Sequence, residues 1–120
     1  MRRRARIHRF LEPALLLLLR ERPTHGYELL EQLPELLQRD RVDVGNVYRV
    51  LRGLEEHGLV TSEWREDLPG PAKRTYELTP DGRRALARWA ESLGEMRAHI
   101  DAFLDRYHAR EEVTNAPPTP

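Results

Sequence analysis

The chain has 120 residues, of which 39% are hydrophobic and 33% charged, enough for one small domain with an appended element. It contains no cysteine, which excludes a disulfide framework, a thiol nucleophile and a thiolate metal site. Twenty basic and 20 acidic residues give zero net charge, whereas nucleic-acid-binding proteins usually have a basic excess. The longest apolar run, Ala14 to Leu19, is too short to cross a bilayer, and we expect a cytoplasmic protein without a membrane partner.

The positive charge is concentrated at the amino terminus. Residues 1–9 contain five arginines and no acidic residue, which leaves the rest of the chain with a net charge of −5. The arginines are Arg2, Arg3, Arg4, Arg6 and Arg9. We interpret residues 1–9 as a basic arm that could lie along a nucleic-acid backbone or in a minor groove, with Arg3 and Arg4 as candidate contacts. The alternative is a flexible, solubilising start of the chain.

Two helices are predicted in the first third of the chain. The first covers about residues 10–21, with Pro13 in its first turn, where the missing N–H group does no harm. Thr24 is a good N-cap for a second helix that runs through Leu33. Pro34 is then expected to break or kink this helix, with one extra turn after it as the alternative.

The stretch DVGNVYRVLRGLEEHGLV, residues 43–60, contains a third helix with two different faces. Asp43 is its predicted N-cap, the helix reaches about His57, and Gly58 provides a left-handed stop. At about 100° per residue, one arc of this helix is apolar. The arc comprises Val47, Leu51, Leu54 and Gly58, with Val50 at its edge. We expect it to pack in the core.

The other side of this helix begins with side chains that a core cannot use. They are Gly45, Asn46, Tyr48, Arg49 and Arg52. The glycine removes bulk where the backbone would approach a phosphate, and the other four can hold phosphates or read base edges. We therefore predict that Asn46, Tyr48, Arg49 and Arg52 bind DNA. The alternative is a solvated face on which the arginines pair with Glu55 or Glu56.

After residue 58 the pattern changes from helical to alternating, which predicts a β-hairpin. Its strands are LVTSEW and KRTYEL, residues 59–64 and 73–78, and the turn-rich segment EDLPGP lies between them. The residues expected on one face are Val60 and Trp64, with Tyr76 and Leu78 paired with them.

Basic residues lie where the tip of this hairpin could hold phosphates. Lys73 and Arg74 begin the second strand, and Arg65 lies close to them on the first. We predict that these three residues contact DNA. The alternative is a basic pair that only aids solubility, because acidic residues are interspersed there.

A long fourth helix is predicted from the cap Thr79 and Pro80 to about Ala109. Its apolar residues repeat with a seven-residue period, typical of a helix pair. They are Leu86, Leu93, Ile100 and Tyr107, with Trp89, Met96 and Phe103 three positions further on. At about 45 Å, the helix is longer than a small domain needs for its own core. We therefore expect these residues to form a homodimer interface; packing against the first helix of the same chain is the alternative.

This order of elements predicts a mainly α protein with a small β-hairpin, namely a winged helix-turn-helix with a long C-terminal dimerisation helix. The predicted organisation is a basic arm at 1–9, a DNA-binding domain at 10–79, a dimerisation helix at 80–109 and a disordered tail at 110–120. In a dimer with two-fold symmetry, the third helices of the two chains would lie about one turn of DNA apart.

The chain resembles the PadR-like transcriptional regulators over about residues 11 to 107. Three stretches and the long fourth helix carry the resemblance. The stretches are ALLLLLRERPTHGYEL at 14–29, VGNVYRVLRGLEEHGLV at 44–60 and GPAKRTYELTPDGRRAL at 70–86. One departure is Arg49, since members of the family often have Pro directly after the tyrosine of this helix. The resemblance implies a dimeric repressor that binds an inverted-repeat operator in double-stranded DNA and is often released by a small molecule. Residues 8–21, HRFLEPALLLLLRE, are also similar to a branch that responds to polyhydroxybutyrate.

An effector is expected between the core and the fourth helix, where Trp64, Trp89 and Met96 could line an apolar pocket. More commonly such residues are plain core or interface. We expect no cofactor and no metal ion, because Asp101, Asp105 and His108 are typical of a solvated helix face. An enzyme is not expected either, since no phosphate-binding glycine loop or activated nucleophile is recognisable. The remaining alternative is a winged-helix adaptor that binds protein rather than DNA.

Overall fold

The computed structural model describes the backbone of residues 2–38, 41–66 and 73–115 and the side chains of 10–38, 41–66 and 73–111. Its elements in chain order are α1 (Arg2–Glu21), β1 (Thr24–His25), α2 (Gly26–Leu37), α3 (Val44–Glu56), β2 (Val60–Arg65), β3 (Lys73–Leu78) and α4 (Pro80–Asn115). The chain divides into two compact units, residues 1–87 and residues 88–120. Among the described residues, no helix combines the length and the apolar character that a membrane span requires.

Both terminal helices are longer than predicted. α1 begins at Arg2 rather than near residue 10, because arginine is a good helix former and nothing in residues 2–9 stops the helix. Pro13 therefore lies in the helix interior, where its ring is buried. α4 continues to Asn115 rather than ending near Ala109, so the predicted disordered tail is wrong for residues 110–115. Residues 116–120 lie outside the described part.

The start of α2 differs from the prediction. Thr24 does not cap the helix; it lies buried in the short strand β1, and its hydroxyl donates to the carbonyl of Arg22 at 2.9 Å. His25 is the N-cap instead, because its Nδ1 accepts the backbone N–H of Glu28 at 3.2 Å. The helix also continues through Pro34, as the alternative prediction has it, and ends at Leu37; the C-cap Gln38 has a left-handed φ of 55°.

The sheet has three antiparallel strands in the order β1-β3-β2, of which only the hairpin was predicted. Val60 lies opposite Leu78, as expected. Tyr76 lies opposite Ser62 rather than Trp64, and Trp64 lies opposite Arg74. Trp64 is 62% exposed because it lies near the end of β2, beyond the core, so its predicted pairing with a core residue is wrong. The predicted loop 66–71 lies outside the described residues except for Glu66.

The core of the first unit brings together α1, α2, α3 and the sheet. Its most deeply buried large side chains are Leu15, Leu16, Leu29, Leu33, Leu51, Val47 and Val60. The apolar arc of α3 is confirmed for Val47, Leu51 and Leu54. Gly58 lies outside this arc because it is exposed, but its φ of 74° confirms the left-handed stop.

The start of α4 is fixed to the turn that follows α3. The Thr79 hydroxyl accepts the N–H of Gly82 at 2.9 Å, which confirms Thr79 as the cap, and donates to the carbonyl of Gly58 at 2.7 Å. The backbone N–H of Thr79 donates to the carbonyl of Leu59 at 3.1 Å. A Cβ on Gly82 would lie 2.1 Å from that Leu59 oxygen, so this close approach requires glycine.

Candidate nucleic-acid interface

The polar face of α3 is the first component of the candidate site. Asp43 caps the helix, with its Oδ1 accepting the backbone N–H of Asn46 at 3.3 Å, as predicted for this N-cap. Because Val47 and Leu51 are buried on one side, Arg49 and Arg52 are exposed on the other. The helix therefore holds two guanidinium groups outward on a rigid support.

Asn46 is the exception among the predicted contacts of α3. It is 5% exposed, and its side-chain amide nitrogen is buried without a hydrogen-bond partner among the described residues. The position precedes Val47 and lies one turn before Val50, so it belongs to the flank of the buried arc. The prediction that Asn46 faces outward to meet a base is wrong.

Tyr48 joins α3 to the first turn of α2. A Cβ on Gly26 would lie 2.9 Å from both Cε1 and Oη of Tyr48, so the absence of a side chain at Gly26 lets the ring lie against this turn. Tyr48 is half-buried as a result. Its ring is therefore held in one place at the side of the polar face rather than extending freely from it.

The polar face of α3, the start of α2 and the two hairpin strands surround an open cavity of about 660 Å³, which we call the wing groove. It lies entirely within the first unit. Its lining residues are His25, Gly26 and Tyr27 of the β1–α2 segment, Tyr48, Arg52 and Glu55 of α3, and Trp64, Lys73, Arg74 and Tyr76 of the strands. Three of the predicted DNA contacts besides Tyr48 thus meet at one concave surface: Arg52, Lys73 and Arg74.

The hairpin of β2 and β3, which is the wing of this fold, is connected to α3 by hydrogen bonds. Nε of Arg74 donates to the Ser62 hydroxyl at 2.9 Å, and that hydroxyl donates to Oε2 of Glu55 at 2.7 Å. Nη2 of Arg74 also lies 3.5 Å from Oε1 of Glu55. The Arg74 guanidinium carbon is 5.9 Å from the centre of the Trp64 ring, within range of a cation–π interaction. The side chain of Arg74 is therefore held in place by contacts within the protein, without any DNA.

The charged residues of the wing groove influence the pKa of Tyr76, which lines the same groove. Burial, the largest influence, raises the pKa of the Tyr76 hydroxyl above its ordinary value of 10.0, and the charge of Glu55 raises it further. The positive charges of Arg74 and Arg52 act in the opposite direction. Charged groups of α3 and of the wing therefore both influence the pKa of the Tyr76 hydroxyl, in opposing directions.

The other predicted site residues lie elsewhere. Arg65 is half-buried opposite Lys73, at the end of β2. Arg3 and Arg4 lie in the first turns of α1, but their side chains are outside the described part. Of the predicted effector residues, Trp64 lines the wing groove, while Trp89 and Met96 belong to the second unit.

The predicted dimer residues lie along α4. Leu86 is buried in the first unit, and Trp89 and Leu93 of the second unit are half-buried. The rest of the predicted interface is exposed and comprises Met96, Ile100, Phe103 and Tyr107. Leu104 extends this exposed apolar stripe.

Several lining residues were not predicted from the sequence. The sequence assigns His25 and Gly26 no role in the groove, because Thr24 is the better cap by residue type and β1 is too short to give an alternating pattern. For Glu55, the sequence suggests only arginines of its own helix as partners. Its actual partners are on β2 and β3, and no spacing within α3 could reveal them.

Three helices followed by a hairpin beside α3 define a winged helix-turn-helix protein. The model of the PadR-like transcriptional regulator family matches residues 15–88, and the chain belongs to that family. Members of this family are transcriptional regulators, not enzymes.

Individual relatives agree with this assignment. The chain is 37% identical over 76 residues to a transcriptional regulator of Mycobacterium tuberculosis, covering 63% of this chain and 68% of that protein. A PadR-family transcriptional regulator from Eggerthella lenta superposes with a TM-score of 0.71 at 26% identity, over 83% of this chain and 87% of that one. PadR of Bacillus subtilis, whose crystal structure contains operator DNA, matches with a TM-score of 0.59 at 28% identity, over 68% of this chain and 47% of that one.

Proposed function

We propose that the protein is a cytoplasmic, sequence-specific DNA-binding regulator that acts as a homodimer, and that it is a repressor released by a small-molecule effector. One observation carries the DNA-binding part. Tyr48 and Arg52 of α3 line the same open groove as Lys73 and Arg74 of the wing. Basic side chains from two elements thus converge on one surface of a protein whose net charge is zero.

A duplex would meet this surface with α3 in its major groove and the wing along its backbone. Arg49 and Arg52 would read base edges or hold phosphates, because both guanidinium groups are exposed on a rigid helix. Lys73, which is exposed at the start of β3, would contact a phosphate. The complex of Bacillus subtilis PadR with operator DNA supports this assignment for a related fold.

The DNA-binding experiment begins with selection of bound duplexes from a randomised pool. Arg49→Ala and Arg52→Ala should each weaken binding to the selected duplex by about 1–3 kcal/mol if the arginine reads a base. Arg88→Ala is the matched control, because Arg88 is an exposed arginine of the second unit. Unchanged affinity in both α3 variants would contradict the placement of α3 in the groove of the duplex.

The dimer is supported by the exposed apolar stripe of α4. Phe103 is 69% exposed and Tyr107 51% exposed, and covering such surface is worth about 25 cal/mol per Å². The seven-residue repeat favours a second copy of the same helix as the cover. Ile100→Glu should therefore give monomers in sedimentation, whereas Ala98→Glu, at an exposed position off the stripe, should not. A dimer that persists in the Ile100 variant would place the interface elsewhere.

An apolar effector is proposed from two of the predicted effector residues, Trp89 and Met96, which both belong to the second unit, where Trp89 is half-buried and Met96 exposed. Such groups suit an apolar ligand. The likeness of residues 8–21 to the polyhydroxybutyrate-responsive branch stays a prediction. Repeating the DNA selection in the presence of candidate metabolites tests both the effector site and the response to polyhydroxybutyrate. Release of DNA by one metabolite from the wild type, but not from a Trp89→Ala variant, would support the pocket; equal release from both would contradict it.

A further inference from the structure

A carboxylate, that of Glu55, lines the surface that the proposed function assigns to DNA. Glu55 lines the wing groove together with Arg52 and Lys73, and its side chain is one-third exposed. A negative charge on a DNA-binding surface repels the duplex and weakens binding to any sequence. Its presence there therefore calls for a role that outweighs this repulsion.

The contacts of Glu55 suggest that role. Its two carboxylate oxygens hold different partners, since Oε2 accepts from Ser62 of β2 and Oε1 faces Arg74 of β3. The Ser62 hydroxyl completes a closed triangle by accepting from Arg74. One side chain of α3 thus binds both strands of the hairpin, and Arg74 in turn holds its guanidinium over Trp64.

We infer that Glu55 is a positioning residue that sets the angle of the wing against α3 and thereby sharpens the preference for one DNA sequence over others. The inference rests on the proposed function. With the wing held, Lys73 and Arg74 lie at a fixed distance from Arg52, so phosphate contacts and base contacts are satisfied together only in the correct register. Without the carboxylate, the wing can grip the backbone in any register.

The first variant is Glu55→Gln, compared with Glu56→Gln. Both remove one negative charge from neighbouring positions of α3, but Glu56 is exposed and makes no described hydrogen bond to the wing. Binding is measured to the duplex that the wild type selects and to a shuffled duplex of the same composition. Both variants should bind the shuffled duplex more tightly than the wild type does. Only Glu55→Gln should lower the ratio of the two affinities, by about two- to fivefold, the scale of a part-exposed ion pair.

The second variant, Ser62→Ala, breaks the triangle without changing any charge. It should lower the affinity ratio in the same direction, because the released wing can grip the backbone of the shuffled duplex as well as that of the selected one. Ser62→Thr keeps the hydroxyl and should restore the ratio. Because Ser62 is only half-buried, we expect both Ser62 variants to fold. They therefore test the positioning role of Glu55 even if Glu55→Gln fails to fold.

Two negative results have different meanings. If the wild type binds neither duplex in a salt-dependent way, the proposed function is overturned. If the wild type prefers its selected duplex, but Glu55→Gln and Glu56→Gln keep equal ratios or Ser62→Ala keeps the wild-type ratio, the positioning role is overturned and DNA binding stands.

Discussion

Replacing Gly82 by alanine should destabilise the protein, although alanine is the better helix former. The new Cβ would lie 2.1 Å from the carbonyl oxygen of Leu59 and 2.5 Å from Cδ1 of Leu78. The leucine methyl can turn away, but the backbone oxygen cannot move without its turn. The start of α4 must therefore shift away from the turn that follows α3.

The size of the effect follows from what this shift breaks. Two hydrogen bonds connect Thr79 to the carbonyls of Gly58 and Leu59, at 2.7 and 3.1 Å. Each is worth about 1 kcal/mol, and crowding of a packed site adds about 1–3 kcal/mol. Alanine returns about 1 kcal/mol through its helix propensity. We expect a net loss of about 2–4 kcal/mol, which for a unit of this size lowers the melting temperature by at least about 8 °C.

The assay is thermal unfolding followed by circular dichroism at one fixed protein concentration, because a dimer would make the melting temperature depend on concentration. Gly53→Ala is the matched control, since Gly53 is a helical glycine of the same unit and an added Cβ there would meet no atom within 4 Å. It should gain up to about 1 kcal/mol. If Gly82→Ala melts at or above the wild-type temperature while Gly53→Ala behaves as expected, the close approach of α4 to Leu59 is not real.

Three further changes test separate parts of the account. Asn46→Leu should raise the free energy of unfolding by about 1 kcal/mol in urea titration and leave DNA affinity unchanged, because it removes an unpaired buried amide; a loss of affinity would return Asn46 to the interface. Gly26→Ala should cost no more than about 1 kcal/mol in the same titration but weaken DNA binding, because its methyl group displaces the Tyr48 ring; unchanged binding would mean that the ring position is unimportant. Since burial raises the pKa of Tyr76, the neutral hydroxyl stabilises the fold below pH 10.0, and this stability is lost as the pH rises through the raised value. Tyr76→Phe should therefore lose less stability than the wild type above pH 10.0 in alkaline unfolding, and an identical loss would contradict the assigned burial effect.

The helices and the hairpin could be predicted because their signals are local. Asp43 and Thr79 each cap a helix through a hydrogen bond to a backbone N–H three residues further on. The buried arc of α3 follows from a helical period within a single helix. The helix ends were predicted less well, because arginines and glutamates continue a helix that lacks a stop signal.

What could not be predicted depends on contacts between distant segments. Strand β1 has two residues, and its pairing with β3 joins positions about fifty residues apart in the chain, so no local pattern reveals it. The burial of Asn46 depends on which flank of α3 the rest of the core covers. The triangle of Glu55, Ser62 and Arg74 likewise exists only after the hairpin has folded against α3.

The dependence of DNA affinity on salt tests the central claim most directly. Between about 50 and 200 mM salt, the logarithm of the wild-type binding constant should fall linearly with the logarithm of salt concentration, because each phosphate contact releases counterions. Lys73→Ala should reduce that slope by about one if Lys73 holds a phosphate, since Lys73 is exposed at the wing groove. A binding constant that does not change with salt would contradict DNA recognition by this surface and favour the protein–protein adaptor, the alternative that zero net charge supports.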